Sequence, residues 1–134
     1  MPGDFLDTNI LVYAFTTDPR AEAAQALLGR GSVTSVQALN EFTNVGRRKL
    51  GMTWREVRDA LAAIRTVCRT ISPIDVETHA EALSIAERYG YTIFDALMIA
   101  AALRAECTVL YSEDMQDGMA IGRRLRIVDP FRNL

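Results

Sequence analysis

Five acidic residues lie at positions from which folded chains often do chemistry. Asp7 ends a predicted strand, Glu41 lies on the helix after the second strand, and Asp95 lies in the first turn of an apolar helix. Asp114 and Asp117 follow the last clear strand. Several carboxylates brought together repel one another unless a cation neutralises them. Mg²⁺ and Mn²⁺ prefer oxygen ligands, so this group predicts a site for one of these ions. Such an ion lowers the pKa of a bound water and stabilises the leaving oxygen when a phosphodiester is cleaved.

Each acid also fits an ordinary structural role. Asp7 or Thr8 is a suitable N-cap for the helix that follows. Asp95, three residues after Thr92, fits a capping box and gains from the helix dipole. Glu41 fits a solvated helix position, and the last two acids fit a turn. No single acid decides between structure and function, so the prediction depends on their conjunction.

Other residues that bind metals or act as nucleophiles form no recognisable motif. Cys68 and Cys107 lack the spacing of a zinc site, and His79 is the only histidine. Both cysteines lie in apolar surroundings, which predicts two buried, reduced thiols. Residues 1–4 lack a basic region, and the apolar stretches are shorter than about 18 residues. We therefore expect no signal peptide, no membrane span and a cytoplasmic location.

Short apolar segments alternate with helical patterns along the chain. Strands are predicted at residues 5–6, 33–35, 70–74, 108–111 and 127–128. The helical segment 96–103 is apolar almost all round, which predicts a central position. The alternation predicts an α/β fold, a three-layer sandwich with a short parallel sheet flanked by helices. We expect a single domain over residues 1–134.

The predicted sheet gives the acids a common place. In an open parallel sheet, ligands bind outside the carboxyl ends of the strands. Asp7 and Asp114 follow two of these ends directly, and Glu41 lies on a helix that leaves a third. The fold therefore predicts that the acids gather in one cleft.

Composition limits the class of protein further. The chain has 134 residues, 49% hydrophobic and 24% charged, which excludes a disordered segment or a disulfide scaffold. A net charge of −2 lacks the basic footprint of many nucleic-acid-binding proteins. The five acids discussed above belong to a total of 17, and without them 12 acids face 15 basic residues. The acidic balance therefore comes largely from the predicted site and does not exclude an RNA substrate.

A basic run follows the helix that carries Glu41. Arg47, Arg48 and Lys49 lie at the C-terminal end of that helix, where positive charges stabilise the helix dipole. The same residues can contact phosphates of a nucleic acid. The sequence leaves both interpretations open.

The order of the acidic motifs resembles that of the PIN domain, in particular the VapC-like toxin nucleases. The motifs are Asp7-Thr8-Asn9, Glu41, Ile93-Phe94-Asp95-Ala96 and Ser112-Glu113-Asp114. The resemblance spans nearly the whole chain and implies a Rossmann-like parallel sheet. It also implies a metal-dependent endoribonuclease with Mg²⁺ or Mn²⁺ in an acidic cleft. Two protein partners are implied: a small antitoxin whose C-terminal segment fills the cleft, and a second copy of the chain in a homodimer.

The resemblance also assigns roles residue by residue. The family's acidic positions match Asp7, Glu41, Asp95 and Asp114, with Asp117 as a further, less regular acid. Thr8, Asn9 and Ser112 are implied to support the site: Thr8 near the metal's waters, and Asn9 by orienting a carboxylate. Ser112 stands where the family more often has threonine, and Gly118 where an aromatic residue is common. Glu113 is expected to point away from the cleft.

Other functions with an acidic residue after the first strand fit less well. A dehalogenase-type phosphatase needs a second aspartate where Asn9 stands, and a receiver domain needs a late lysine, whereas the only lysine is Lys49. The remaining alternative is a PIN-fold interaction protein with little or no nuclease activity. Intact acids at all four main positions favour the nuclease.

Overall fold

The first strand of the chain lies inside the sheet, with later strands on both sides. The computed structural model describes residues 3–132. Its strands are β1 (Phe5–Leu6), β2 (Val33–Ser35), β3 (Thr70–Ser72), β4 (Val109–Tyr111), β5 (Ala120–Ile121) and β6 (Leu125–Val128). Its helices are α1 (Thr8–Tyr13), α2 (Ala21–Leu28), α3 (Val36–Arg48), α4 (Trp54–Val67), α5 (Val76–Tyr89) and α6 (Ile93–Arg104).

The strands form one sheet in the order β3-β2-β1-β4-β6-β5. All neighbours pair in parallel except β5, which runs antiparallel to β6. The predicted α/β fold with a short parallel sheet and flanking helices is confirmed. Strand β5, of two residues, was not predicted.

Pairing between β1 and β4 determines where the segments that follow these two strands leave the sheet. Phe5 is opposite Leu110 and Leu6 is opposite Tyr111. The ladder continues one step further, since the Asp7 amide donates to the Tyr111 carbonyl at 3.0 Å. Asp7 and the segment that begins at Ser112 therefore emerge side by side at the carboxyl edge of the sheet.

Helix α6 is the central helix of the core, as its composition predicts. Its residues 96–103 are all buried. Four of these eight are alanines, whose small side chains let neighbouring elements approach closely. The helix packs along α5 and also contacts β2, α3 and β4.

Helix ends follow the capping residues. Thr53 and Glu56 form a reciprocal capping box at the start of α4. The Asp75 carboxylate accepts from the Thr78 amide at 2.8 Å and starts α5, which ends at Gly90. Gly90 has a φ of 77°, a left-handed conformation that favours glycine. Within residues 3–132, none of the helices combines the length and apolar character required to cross a bilayer.

Candidate metal centre

Asp7 is both a helix cap and the most enclosed acid of the cleft. Its Oδ1 accepts from the Thr8 amide at 2.7 Å, so the predicted N-cap role is present at the start of α1. Its Oδ2 accepts from the Ser112 hydroxyl at 2.7 Å and from the Asn9 amide nitrogen at 3.4 Å. The carboxylate is buried. The N-cap contact uses only one of the two carboxylate oxygens of Asp7, so it does not exclude the predicted role of Asp7 as a ligand.

Asn9 connects the first strand to the segment after β4. Its Nδ2 donates to Asp114 Oδ2 at 3.1 Å as well as to Asp7, and its Oδ1 accepts from the Glu113 amide at 3.2 Å. One amide side chain thus contacts both carboxylates and also a backbone N–H of the loop. Asn9 holds the two acids on either side of it.

Glu41 approaches the cleft from α3. Its Oε1 accepts from the Thr8 hydroxyl at 3.1 Å, and its Oε2 accepts from Gln37 Nε2 at 2.9 Å. The predicted support by Thr8 takes the form of a direct hydrogen bond to this carboxylate. Gln37 was not predicted, although its spacing of four residues from Glu41 is a signal for such a pair on a helix.

Asp95 enters from the first turn of α6. The Thr92 hydroxyl accepts from the Asp95 amide at 3.2 Å, so Thr92 caps the helix as predicted. Among residues 3–132 the Asp95 carboxylate makes no return bond to the Thr92 amide, so the capping box is not complete. Burial, Asp114 and Glu41 raise the pKa of Asp95, which places its carboxylate within electrostatic reach of two other acids.

The negative charges of the cleft have no positive side chain beside them among the described residues. Burial raises the pKa of Asp7 to about 7, against the lowering effect of its bonds to Ser112 and the Thr8 amide. The charges of Asp95 and Glu41 raise that pKa further. Within the described part of the chain, none of these acids or Asp114 forms an ion pair. Four carboxylates thus share a cleft whose hydrogen-bond donors are neutral.

The donor set fits a hard divalent cation, but the acids do not converge fully. Among residues 3–132, no three acidic, histidine or cysteine side chains lie close enough together to ligate one ion. Instead Thr8 and Asn9 lie between them and donate to the carboxylates. Carboxylate oxygens with an unmet negative charge are the ligands that Mg²⁺ and Mn²⁺ favour. The types of donor therefore fit such a cation, and Asp7, Glu41, Asp95 and Asp114 are the candidates to hold it.

Asp117 does not join the other acids. Its Oδ1 accepts from the Asp129 amide at 2.7 Å, and its Oδ2 pairs with Arg132 at 2.6 Å. These bonds lower the pKa of Asp117. Both oxygens are engaged in tying the segment after β4 to the segment after β6. These contacts are typical of a structural turn, and a role of Asp117 as a further ligand stays a prediction.

A second set of contacts, which the sequence did not predict, anchors the loop that carries Asp114. Glu113 points away from the cleft, as expected, and its Oε1 accepts from the Tyr13 hydroxyl at 2.6 Å. Its Oε2 pairs with Arg20 Nε at 2.8 Å. The Arg20 guanidinium lies 4.9 Å from the centre of the Tyr13 ring. We call these three residues the loop anchor. Glu113 lies 100 positions from Tyr13 in the sequence, so no local pattern signals this contact.

The basic run lies apart from the acids on the same helix as Glu41. Arg47 and Arg48 occupy the last turn of α3, and Lys49 is its C-cap. All three side chains are exposed. Their position suits stabilisation of the helix dipole, and their exposure leaves them accessible to a partner.

Comparison with known proteins agrees with this description. A family model described as PIN domain matches residues 5–119, which is most of the chain. A search of curated proteins gives no match.

Three solved structures share the fold. The structure of Mycobacterium tuberculosis VapC20, described as a sarcin-ricin loop cleaving toxin, is 24% identical, with a TM-score of 0.68 over 83% of this chain and 89% of that chain. A toxin-antitoxin complex from Klebsiella pneumoniae is 19% identical, with a TM-score of 0.74 over 96% of this chain and 98% of that one. VapBC2 from Rickettsia felis, bound to a DNA fragment from its promoter, is 20% identical, with a TM-score of 0.65 over 92% and 96% of the two chains.

Proposed function

We propose, given that this chain belongs to the PIN domain family, that it is a metal-dependent endoribonuclease and the toxin of a toxin-antitoxin pair. One observation carries the proposal: four carboxylates from separate parts of the chain lie near one another, linked by Thr8 and Asn9 or by the effect of their charges on pKa, without a cationic partner among the described residues. A structural cluster of acids would be neutralised by arginine, which this chain has in abundance. The arrangement supports binding of a cation and, through it, of a phosphodiester.

Asp7, Glu41, Asp95 and Asp114 are the residues that would hold Mg²⁺ or Mn²⁺. When bound, such an ion supplies an activated water and stabilises charge on the leaving oxygen of a phosphodiester. The protein's own part is to orient the carboxylates before the ion arrives. Ser112 and the Thr8 amide fix Asp7, the Thr8 hydroxyl fixes Glu41, and Asn9 fixes Asp114. Each donor leaves lone pairs of the carboxylate oxygens available for the cation.

Asp7 also links metal binding to pH. A ligand must lose its proton before it binds a cation, and the pKa of Asp7 is about 7 in the metal-free protein. Cation and proton therefore compete for this carboxylate near neutral pH. We expect metal affinity to rise with pH through this range.

The partners follow from the same proposal. The Klebsiella pneumoniae structure is a toxin-antitoxin complex, and the Rickettsia felis structure is a VapBC complex on promoter DNA. We propose that this chain likewise binds a small antitoxin whose C-terminal segment enters the acidic cleft, and that it forms a homodimer. Both cysteines are free and buried, which is compatible with the proposed cytoplasmic location.

Cleavage of RNA by the purified chain tests the nuclease. A panel of structured RNAs is incubated with the protein in Mg²⁺, in Mn²⁺ and in excess EDTA. We expect discrete fragments with either metal and none in EDTA. Glu41→Gln should abolish cleavage, whereas Glu87→Gln, the same change on an exposed part of α5, should not.

Two outcomes would contradict the proposal. Cleavage that persists in EDTA would exclude the metal. Intact RNA under all conditions, from a folded protein that still binds a protein encoded by a neighbouring gene, would favour a PIN-fold interaction protein instead. Growth arrest on expression of the chain, relieved by that neighbouring gene, would support the toxin assignment.

A further inference from the structure

A compact basic surface lies at the corner where α3 meets α4. We call it the basic corner, and it consists of Arg47, Arg48, Lys49, Trp54, Arg55 and Arg58, all of them exposed. Residues 47–59 contain five basic and two acidic residues. One of the acids, Glu56, is engaged in the α4 capping box. Within residues 3–132 none of the five basic side chains forms an ion pair, so their charge faces solvent.

Trp54 is the unusual member of this surface. It is 55% exposed although tryptophan is normally largely buried. The Arg47 guanidinium carbon lies 4.5 Å from the centre of its ring, and Arg47 Nη1 donates to the Met52 carbonyl at 2.9 Å. Arg47 is thus fixed to the backbone between the two helices and holds the indole against itself. The indole is held in place and much of its surface stays in contact with solvent.

The basic corner is connected to the acidic cleft along α3. Glu41 and Arg48 are seven residues apart, which places them on the same face of the helix and about 10 Å apart along its axis. Glu41 faces the cleft through its bond with Thr8. The face of α3 that borders the acids therefore continues to Arg48. A nucleic acid that is bound at the acids and runs along this face of α3 reaches the basic corner within a few nucleotides.

We propose that the basic corner binds an unpaired segment of the RNA substrate, with Trp54 stacking on a base and Arg48, Arg55 and Arg58 contacting phosphates. This inference rests on the proposed nuclease function and adds a binding site for the substrate outside the cleavage site. Single-stranded nucleic acids are bound by aromatic side chains among basic ones, since every base offers a π-face beside a charged phosphate. An acidic peptide would match the charge alone. In a duplex the bases are already stacked and cannot lie on the indole.

The chain contains one tryptophan, so its fluorescence reports on Trp54 alone. A single-stranded RNA oligonucleotide of roughly ten nucleotides is titrated into the protein in EDTA, which prevents metal-dependent cleavage. We expect quenching of the Trp54 emission that saturates, and weaker quenching with the same sequence as a duplex. Polyglutamate, the control for charge alone, should not quench.

Variants then measure what the ring contributes, with affinity followed by a fluorescent label on the RNA. Trp54→Ala should weaken binding of the single strand by roughly five- to a hundredfold, the usual range for loss of one stacked base. Trp54→Phe should retain most of the affinity. Leu83→Ala, which removes another exposed apolar side chain, on α5, should change nothing. Arg55→Gln should reduce the salt dependence of binding by about one phosphate contact, whereas Arg123→Gln should not.

The result that would overturn the inference is unchanged RNA affinity of a folded Trp54→Ala protein. In that case Trp54 and Arg47 serve only to tie the helices together, and thermal denaturation alone would change. Equal quenching by polyglutamate would overturn it too and would indicate an acidic protein partner. Failure of the nuclease proposal has a different signature. RNA would then stay intact in Mg²⁺ while binding in EDTA still depended on Trp54.

Discussion

The acids of the cleft and the acids outside it are the same residue types, but they differ in whether a positive side chain lies beside them. Asp117 pairs with Arg132, and Asp18 pairs with Arg20, and in both cases hydrogen bonds lower the pKa of the carboxyl group. Asp7 has only neutral donors and a pKa raised to about 7. The chain has enough arginines to neutralise the cleft, yet in the described structure they lie elsewhere. In the described structure, absence of a cationic partner thus distinguishes the acids that we propose as metal ligands from the acids that pair with arginine.

The sharpest test exchanges one carboxylate of each kind for an amide. Asp7→Asn should reduce RNA cleavage in Mg²⁺ to the background of the EDTA reaction, because it removes a negative ligand. Asp117→Asn, the same change outside the cleft, should leave the cleavage rate within about twofold of the wild type, since surface pairs contribute little. Both rates are measured on one RNA at saturating metal.

Stability measurements on the same two proteins serve as the control. Asp117→Asn should lower the melting temperature slightly, because it weakens the contact with Arg132, while Asp7→Asn should not lower it. An Asp7→Asn protein that cleaves RNA at the wild-type rate would remove the basis for calling the cleft a metal centre. Loss of cleavage in Asp117→Asn with an intact fold would mean that the distinction between the two kinds of acid is wrong.

The pH dependence of stability should differ between the two kinds of acid as well. The pKa of Asp7 is raised in the folded protein, so its protonated form stabilises the metal-free fold below about pH 4, and this contribution is lost as pH rises through about 7. The loss amounts to at most roughly 4 kcal/mol at pH 8. The Asp7→Asn protein lacks this titrating group and keeps its stability as pH rises. Its free energy of unfolding, measured relative to that of the wild type, should therefore increase between pH 5 and pH 8 in EDTA.

Denaturant unfolding at a series of pH values measures this difference. Addition of Mn²⁺ at pH 8 should reverse it, because the metal stabilises only a protein that binds it. A constant difference between the two proteins across the pH range would mean that Asp7 is already ionised at low pH and that burial does not raise its pKa.

A smaller effect on metal affinity is expected from an acid outside the cleft that positions an acid inside it. Glu113 belongs to the loop anchor and lies next to Asp114, whose position depends on the loop. Glu113→Gln removes the charge pair with Arg20, and we expect Mn²⁺ affinity to fall by roughly ten- to a hundredfold, as for other residues that orient ligands. The matched control is Asp4→Asn, which breaks the ion pair with Arg30 at 3.3 Å.

Affinity is measured by titration calorimetry with Mn²⁺ in the absence of RNA, so that binding is separated from catalysis. A purely structural role for Glu113 would lower the melting temperature of both variants and leave the Mn²⁺ affinity of both unchanged. That result would restrict the proposed metal centre to the four acids and the groups that donate hydrogen bonds to them.

Sequence alone could place the four proposed ligands near one another, because the order of the motifs and the ends of the strands are local properties. Asp7 and Asp114 each follow a short apolar strand, and the parallel sheet brings such positions together whatever the intervening length. The N-cap role of Thr92 was also visible, because the spacing to Asp95 is a local signal.

Features that depend on tertiary contacts were not predicted. The bonds of Asp117 with Arg132 and with the Asp129 amide engage both of its carboxylate oxygens, and no local pattern signals either contact. The loop anchor joins Tyr13 and Arg20 to Glu113 through pairs that no sequence period encodes. Strand β5 pairs with β6, a contact that the sequence of its two residues does not reveal.

The bridge that Asn9 makes between Asp7 and Asp114 has a consequence for synthesis of the chain. Strand β1 leaves the ribosome first, but its neighbour β4 is made more than 100 residues later. Asp7 and Asn9 therefore cannot contact Ser112, Glu113 or Asp114 until almost all of the domain has left the ribosome. Incomplete chains, including those cut short by damage to their own messenger, cannot assemble the four acids. Every truncated product that ends before residue 114 would therefore lack the proposed activity.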